Sequence, residues 1–377
     1  MRCPEEEAEA SREPQSAVSR RFANLGSDRD AGWDAFVVQA GGRHAQTAAW
    51  ARVKAATGWT AERVEVWKGD TIVAGAQIVS RRLRVIGRVG YLDGGPVVDA
   101  ATDTDDAVVD EVVDAVVALC RRSRLRNLIV DPPAEADRLV DRMRMSGFVP
   151  SEVKTVLAAT LVVDLTRSEA EILAGMRSST RRNIRKGERA GTVVRRGGRD
   201  DLPVIGELFS ATARRQGFVA ADQDYLNALY DELDPLGQCV VMLAEADGVP
   251  VSAMLGIVFG DRIVYKRGGW SGTHGDWRPN EVMHWTAMQW AKHEGLRRYD
   301  FDGIEPAVAR ALVAGTDGPE ATHVTRFKLG FGGDVVLLPD SLALVPNRLM
   351  RFGYTTVFPR IKRLRVVKRA IKQLRSR

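Results

Sequence analysis

Cysteine is scarce in this chain: Cys3, Cys120 and Cys239 are far apart and odd in number. That argues against a disulfide framework and fits a reducing, cytoplasmic compartment. Cys120 and Cys239 lie in apolar runs and read as small buried hydrophobes. The five histidines have no metal-ligand spacing, and neither CxxC nor HExxH occurs. No metal and no cofactor are therefore expected. No apolar run approaches the ~20 residues that span a bilayer. The start, Met1-Arg2-Cys3-Pro4-Glu5-Glu6-Glu7, is acidic and lacks the apolar stretch of a secretory signal. Residues 1–28 are expected to be a solvated, disordered leader.

Acid is missing from the last stretch of the chain. Arg348 to Arg377 holds 11 Lys+Arg and no Asp or Glu, which leaves 55 − 11 = 44 basic against 49 acidic residues elsewhere. The net +6 is thus a basic tail on a mildly acidic body. A second basic zone holds Arg177, Arg181, Arg182, Arg185, Lys186, Arg189, Arg195 and Arg196 against the single acid Glu188. Two such zones point to a localised anionic partner. From Arg360 the tail carries Ile361, Leu364, Val367, Ile371 and Leu374 at helical spacing. Residues 360–377 read as a basic amphipathic helix suited to an anionic membrane surface, at the inner face of the plasma membrane, with tRNA as the rival partner.

What is present is an order of elements that occurs twice. Arg63 to Trp67 alternates like a strand, Lys68-Gly69-Asp70 turns, and Thr71 to Arg81 returns. Asp105 to Arg122 follows with valines at helical spacing, acids first and arginines last. Leu128-Ile129-Val130 is the next strand. The second copy runs from Val240 to Glu245, turns at Asp247-Gly248, and returns over Val251 to Phe259. It continues through Ile263-Val264-Tyr265, a helix from Pro279 to about Glu294 closed by Gly295, and the strand Tyr299-Asp300-Phe301. Ser168 to Arg189 is a helical lead-in, and Leu202 to about Gln216 a further helix. The pattern predicts an α/β (α+β) chain of two similar domains, each with helices on a mixed sheet, and a ligand cleft between them. The boundary is expected near Leu165, so that 29–165 with about 335–359 forms the first domain and 166–334 the second.

These residues resemble the Fem family of peptidoglycan aminoacyltransferases. Gln46-Thr47-Ala48-Ala49-Trp50-Ala51-Arg52-Val53-Lys54 resembles the family's Gln-x-x-x-Trp-x-x-x-Lys, and Tyr91-Leu92-Asp93-Gly94-Gly95-Pro96-Val97 its Tyr-x-x-x-Gly-Pro-Val. Arg181 to Lys186 resembles its basic helix, Thr212 to Phe218 its Thr-x-x-Arg-x-Gly-Phe, and Tyr265 to Ser271 its strand into Gly-x-Ser. Tyr299 to Ile304 and Phe327-Lys328-Leu329-Gly330-Phe331-Gly332-Gly333 complete the series. The resemblance covers roughly residues 33–340. It implies two GNAT-like domains, each with a mostly antiparallel sheet, and transfer of an amino acid from aminoacyl-tRNA to an amine of a peptidoglycan precursor. Ala48 stands where some members carry a basic residue for the precursor's phosphates, and Ile263 replaces a paired aromatic. Both departures point toward a lipid-linked acceptor over a nucleotide-linked one. No insert between Ser271 and Ala291 can hold the coiled-coil arm of some members.

Acyl transfer to an amine passes through a tetrahedral oxyanion, which needs a fixed positive charge or strong donor beside it. Lys328, next to Phe327 and a glycine loop, is the candidate; read without the resemblance it is equally a surface lysine at a strand end. Asp300, Asp302 and Glu305, with Asp93 on the other half, are candidate bases, although Asp302-Gly303 also reads as a plain turn. Arg215, Arg214, Lys54 and Arg52 are candidates for the acceptor's phosphates. The resemblance adds Trp50, Thr212 and Tyr265 to the substrate site. Arg181, Arg182, Arg185 and Lys186 are candidate tRNA or membrane contacts. An acyl-CoA-dependent or tRNA-dependent N-acyltransferase acting on a small-molecule amine is the alternative. The only near match to a pyrophosphate loop, Gln39 to His44, fails at its last position. A non-catalytic tRNA or membrane adaptor is the third reading.

Overall fold

A computed structural model describes residues 18–360 apart from 24, 27–29, 85, 152, 154–157, 221 and 358–359. Two sheets emerge. The first contains β1 (Val18–Ala23), β2 (Thr60–Lys68), β3 (Thr71–Leu83), β4 (Gly87–Asp93), β5 (Val97–Val98), β6 (Asn127–Asp131), β7 (Val149–Pro150) and, from far along the chain, β15 (Leu342–Leu344). Its order is β1-β2-β3-β4-β6-β15-β7, with β5 beside β3. The second contains β8 (Ala159–Asp164), β9 (Val193–Arg196), β10 (Cys239–Ala246), β11 (Val249–Phe259), β12 (Arg262–Trp270), β13 (Arg298–Asp300) and β14 (Asp334–Leu337), ordered β14-β8-β13-β12-β11-β10-β9. Each sheet is antiparallel but for one parallel pair, β4–β6 and β12–β13.

A parallel pair needs a crossover, and a helix supplies it in each domain. In the first domain α1 (Asp30–Gln39) and α2 (Ala48–Ala55) precede the crossover helix α3 (Asp106–Arg122), and α4 (Asp137–Met145) follows it. Asp105 caps α3 by accepting from the Ala107 N–H at 3.0 Å, and Val108, Val109, Val112, Val113, Val116 and Leu119 are buried against the sheet. In the second domain come α5 (Glu169–Gly175), α6 (Ser178–Ala190), α7 (Leu202–Gln216), α8 (Gln223–Leu233), the crossover α9 (Pro279–His293), α10 (Pro306–Ala314) and α11 (His323–Leu329); α12 (Arg348–Phe352) closes the described chain. The β10–β11 hairpin turns at Asp247 and Gly248, both with positive φ (51° and 74°), which suits Asp-Gly. Cys120 and Cys239 are buried free thiols, and burial pushes both up to about 12.

Four expectations need correction. The leader is not without structure: Val18–Ala23 pairs with β2 as the edge strand. The boundary falls before Leu165, because Ala159–Asp164 already belongs to the second sheet. The lead-in is two helices, broken at Met176 and Arg177, whose backbones are extended (ψ 154° and 145°). The return also comes later than 335, since Asp334–Leu337 pairs with β8 and only Leu342–Leu344 joins the first sheet, between β6 and β7. The expected amphipathic tail lies, from residue 361 onward, outside the described residues.

The domains meet through α2 and α8. Ala45, Ala49, Trp50 and Val53 pack with Tyr225, Leu226, Leu229 and Leu233 in one apolar cluster. This fixes the first domain's Gln46–Lys54 segment against the second domain's sheet. The first sheet is complete only when Leu342 and Leu344 (1% and 2% exposed) reach it. Leu344→Ala should therefore destabilise the whole chain by about 2–5 kcal/mol in chemical denaturation, the usual range for a buried leucine; unchanged stability would show that β15 is dispensable.

Candidate active site between the two domains

The parallel pair of the second sheet comes apart early. β12 and β13 are in register only from Arg262↔Arg298 to Val264↔Asp300. Beyond that, β12 stays beside β11 as far as Trp270, while the chain leaves β13 through Phe301, Asp302 (φ 48°) and Gly303 (φ 101°). The opening leaves backbone carbonyls without a strand partner. Lys328 fills it: its Nζ donates to the Phe301 carbonyl at 2.6 Å and to the Gly303 carbonyl at 2.7 Å. Lys328 is 7% exposed and sits in a helix, so the surface, strand-end reading is wrong. An ammonium has three N–H donors. The two carbonyl bonds use two of them.

An aromatic bed supports this lysine. Tyr265 lies with its ring 5.7 Å from Lys328 Nζ and packs edge-on against His284 at 4.5 Å. Phe327 packs tilted against His284 at 5.5 Å and edge-on against Phe331 at 5.2 Å. His284 shares a 2.7 Å hydrogen bond with the Tyr299 hydroxyl, and burial, then Lys328, push its imidazole down to about 3, so it is neutral. Burial pushes the Tyr265 phenol up to about 12. Burial also pushes the Lys328 ammonium down to about 8, against the pull of Asp302 and Asp300. The glycine loop beside Lys328 allows a close approach of backbone. It meets the protein's own backbone: a Cβ on Gly332 would lie 2.5 Å from the Gly175 carbonyl, and one on Gly333 2.5 Å from that of Val162.

An ion cluster ties the domains together beside the opening. Arg43 of the first domain lies 3.4 Å from Asp93 and 3.8 Å from Asp302, and Lys266 lies 3.1 Å from Asp302. Burial works to raise the Asp302 carboxyl, but Lys266 and Arg43 hold it at about 2. Asp300 accepts from the Thr160 hydroxyl and the Asp302 N–H, and Glu305 accepts from the Thr322 N–H at 2.7 Å. All four acids offered as bases, Asp93 included, thus already have partners. A cavity of about 920 Å³ between the domains is lined in part by Gly42, Arg43, Asp300, Asp302 and Gly303, so the loop that anchors Lys328 forms part of its wall.

The remaining candidates divide. Trp50 is buried, and Lys54 Nζ lies 5.0 Å from its ring. Thr212 bonds both ways with the Trp270 backbone, accepting from its N–H at 2.8 Å. Arg215 donates to the Trp270 carbonyl and to Thr212, with its guanidinium 5.1 Å from the Trp270 ring. Arg52 pairs with Glu232 at 2.6 Å. Arg181 caps the carbonyls at the end of α5, and Lys186 pairs with Asp276 at 3.1 Å. Of the basic helix, Arg182 and Arg185 point outward, exposed. Sequence reading missed Arg43, Lys266, Arg267, Tyr225 and His284. Lys266 and Arg267 stood in the quoted strand beside Tyr265, where their charge was a usable signal; His284 carried none.

Two GNAT-like folds in tandem, with the second open at its parallel pair, define the class. A family model described as an acetyltransferase (GNAT) domain matches residues 174–308. The crystal structure of FemX superposes with a TM-score of 0.75 at 19% identity, covering 88% of this chain and 98% of that one. The Bacillus licheniformis L-PGS structure follows the same fold at a TM-score of 0.54 and 13% identity, covering 94% and 99%. Lipid II:glycine glycyltransferase of Staphylococcus saprophyticus is 25% identical over 234 residues, 59% of this chain and 56% of that protein. The Staphylococcus aureus (strain MRSA252) protein of the same name is 22% identical over 337 residues, covering 69% and 79%. The chain thus spans little more than half of the first relative's length and about four fifths of the second's. Relatives and fold agree with the resemblance read from the sequence: the chain carries a double GNAT-like domain and is similar to Fem proteins.

The electrostatics make one prediction independent of any substrate. Asp302 is the leading carboxylate holding the Lys328 ammonium up. In Asp302→Asn, pH-dependent amine labelling read by mass spectrometry should place Lys328 below its unsubstituted value of about 8. An unmoved or raised titration would remove Asp302 from the site's electrostatics.

Proposed function

We propose that the chain transfers an amino acid from the ester of an aminoacyl-tRNA to an amine of a lipid-linked peptidoglycan precursor, in forming the interpeptide bridge. The observation that carries this reading is Lys328, whose buried ammonium is held by two backbone carbonyls and keeps one further N–H to give. The family resemblance and the lipid II:glycine glycyltransferase relatives support the substrate class.

The amine nitrogen attacks the ester carbonyl carbon, a C–N bond forms, and the carbonyl oxygen takes up negative charge. Lys328 donates its free N–H to that oxygen. Being already anchored, it needs no rearrangement as charge develops, which is where such donors gain their effect. The aromatic bed of Tyr265, His284 and Phe327 keeps water from the ammonium and strengthens the interaction. The intermediate collapses with loss of the ribose oxygen, and the amine's proton leaves on that oxygen or on water. Since Asp93, Asp300, Asp302 and Glu305 all have partners, no protein base is assigned. Arg182 and Arg185, exposed on α6, are proposed to meet tRNA phosphates, a contact blind to sequence and weakened by salt. Residues 360–377 are proposed to rest on the anionic inner face of the membrane that holds the acceptor; their deletion should reduce binding to anionic vesicles, and unchanged binding would reject that role.

The test is transfer of labelled amino acids from a total charged-tRNA pool to lipid-linked precursor, nucleotide-linked precursor, or neither, with acetyl-CoA as a control donor. Label should pass from tRNA to the lipid-linked acceptor; label passing only from acetyl-CoA would replace this reading with acyl-CoA-dependent acylation. Lys328→Met should lower turnover by about 10²-fold or more, the scale of one oxyanion donor. The pH dependence has a defined sign. The charged ammonium is the donor and its pKa is lowered to about 8. The acceptor amine must also lose its proton to attack, and that titration is shared by Lys328→Met; the ratio of the unsubstituted rate to the Lys328→Met rate should therefore be level below pH 8 and fall above it. A ratio that rises through pH 8 would mean that neutral Lys328 acts as a base.

A further inference from the structure

The cavity between the domains extends past the loop that anchors Lys328. Gly303, whose carbonyl accepts from Lys328, is part of its wall, and so are Arg262 and Arg298, which open the paired stretch of β12 and β13. Strand rise alone puts Asp300 about 7 Å from Arg298, so a ligand reaching from Gly303 to Arg262 spans roughly two or three residues of extended peptide. Between them the walls are largely apolar, with Val162 from the second sheet and Val97, Val98 and Leu139 from the first domain. At the Arg262 end, Arg298 takes both oxygens of Asp261, at 2.7 Å each. The Asp300 carboxylate accepts from Thr160 and from the Asp302 N–H. Arg262 Nε lies 3.9 Å from Asp261, beyond hydrogen-bond reach, and among the described residues the Arg262 guanidinium has no hydrogen-bond partner. Its side chain is only 30% exposed. Burial, then Arg298, push its pKa below the ordinary value, against the pull of Asp300 and Asp261. A half-buried fork of N–H groups with no acceptor is costly until one arrives.

The charges of the wall define that acceptor. Arg262, Arg297 and Arg298 stand against Asp261 and Asp300, which leaves one positive charge at this end. Elsewhere the lining is acidic, with Asp103, Glu135, Asp164, Asp302 and Asp334 against Arg43 and Arg138. Such a wall repels a polyanion, and it accepts a ligand that carries one carboxylate and one amine.

We propose that the cavity takes a short peptide and that Arg262 anchors a free carboxylate on it, so that the protein distinguishes a carboxylate-bearing peptide from its amide. The planar guanidinium offers two parallel N–H groups to a carboxylate, whereas an amide presents one oxygen and two N–H groups of its own to a cation. That the peptide is part of the acceptor rests on the function proposed above; the carboxylate chemistry of Arg262 does not.

The experiment is calorimetric titration of the full chain with acetyl-lysyl-D-alanyl-D-alanine and with its C-terminal amide. The free acid should bind tighter than the amide by about tenfold or more, the scale of a charge-assisted bidentate pair. Arg262→Gln should bring the two affinities together. Arg262→Lys, which keeps the charge without the fork and serves where the glutamine variant is unstable, should fall between. Acid and amide binding alike in the unsubstituted chain, neither binding at all, or a preference that survives in Arg262→Gln would each overturn the anchor. An acid preference that depends on Arg262, in a protein that transfers nothing from charged tRNA, would keep the anchor while removing the transferase reading. Transfer from charged tRNA at equal rates to acid and amide acceptors would do the reverse.

Discussion

The site depends on one interaction: an ammonium held by two backbone carbonyls at the point where a parallel strand pair parts. Lys328 serves both ends of this arrangement. It satisfies the Phe301 and Gly303 carbonyls, which the parting strands leave bare, and it is itself fixed with one donor unused. Burial makes the arrangement sensitive. An ammonium pushed down to about 8 is charged at neutral pH by a narrow margin, and the acids Asp302 and Asp300 maintain that margin. The ion cluster of Arg43, Asp93, Asp302 and Lys266 is therefore more than a clasp between domains, because it sets the charge state of its neighbour.

The two domains share a fold and have divided its uses. In the first sheet the parallel pair remains in register over Val89↔Asn127 to Asp93↔Asp131, and Gly94 continues the contact by donating to the Asp131 carbonyl at 2.9 Å. No opening forms there. In the second sheet pairing stops after Val264↔Asp300, and that is where Lys328 enters. The first domain instead lends Arg43, Trp50, Lys54 and Asp93 to the rim of the second domain's opening. Its dependence on β15 means that neither its sheet nor its half of the cleft is complete without the chain's return.

Periodicity made the fold legible. The α3 valines and the Asp247-Gly248 hairpin follow from local rules, and both appear where the pattern puts them. The break at Met176 and Arg177 was hidden, because Arg181 supplies carbonyl caps at α5 through space rather than through an adjacent capping residue. Lys328 was legible as a residue but not as a geometry: its helix is seven residues long, and its partners lie 25 and 27 residues away in sequence. Arg43 was passed over in a loop tested only as a phosphate loop, and its partners Asp93 and Asp302 come from different domains. Arg215 was legible as a basic residue at a helix end; its bond to the Trp270 carbonyl comes from tertiary packing and was not.

The most direct measurement is a crystal structure with a phosphinate or phosphonamidate mimic of the tetrahedral intermediate between aminoacyl ester and amine. Lys328 Nζ should keep its bonds to the Phe301 and Gly303 carbonyls and place its third N–H about 2.7–3.1 Å from the mimic's charged oxygen. An oxygen bound elsewhere, with Lys328 still engaged only by the two carbonyls, would reduce that lysine to a structural brace and contradict the account.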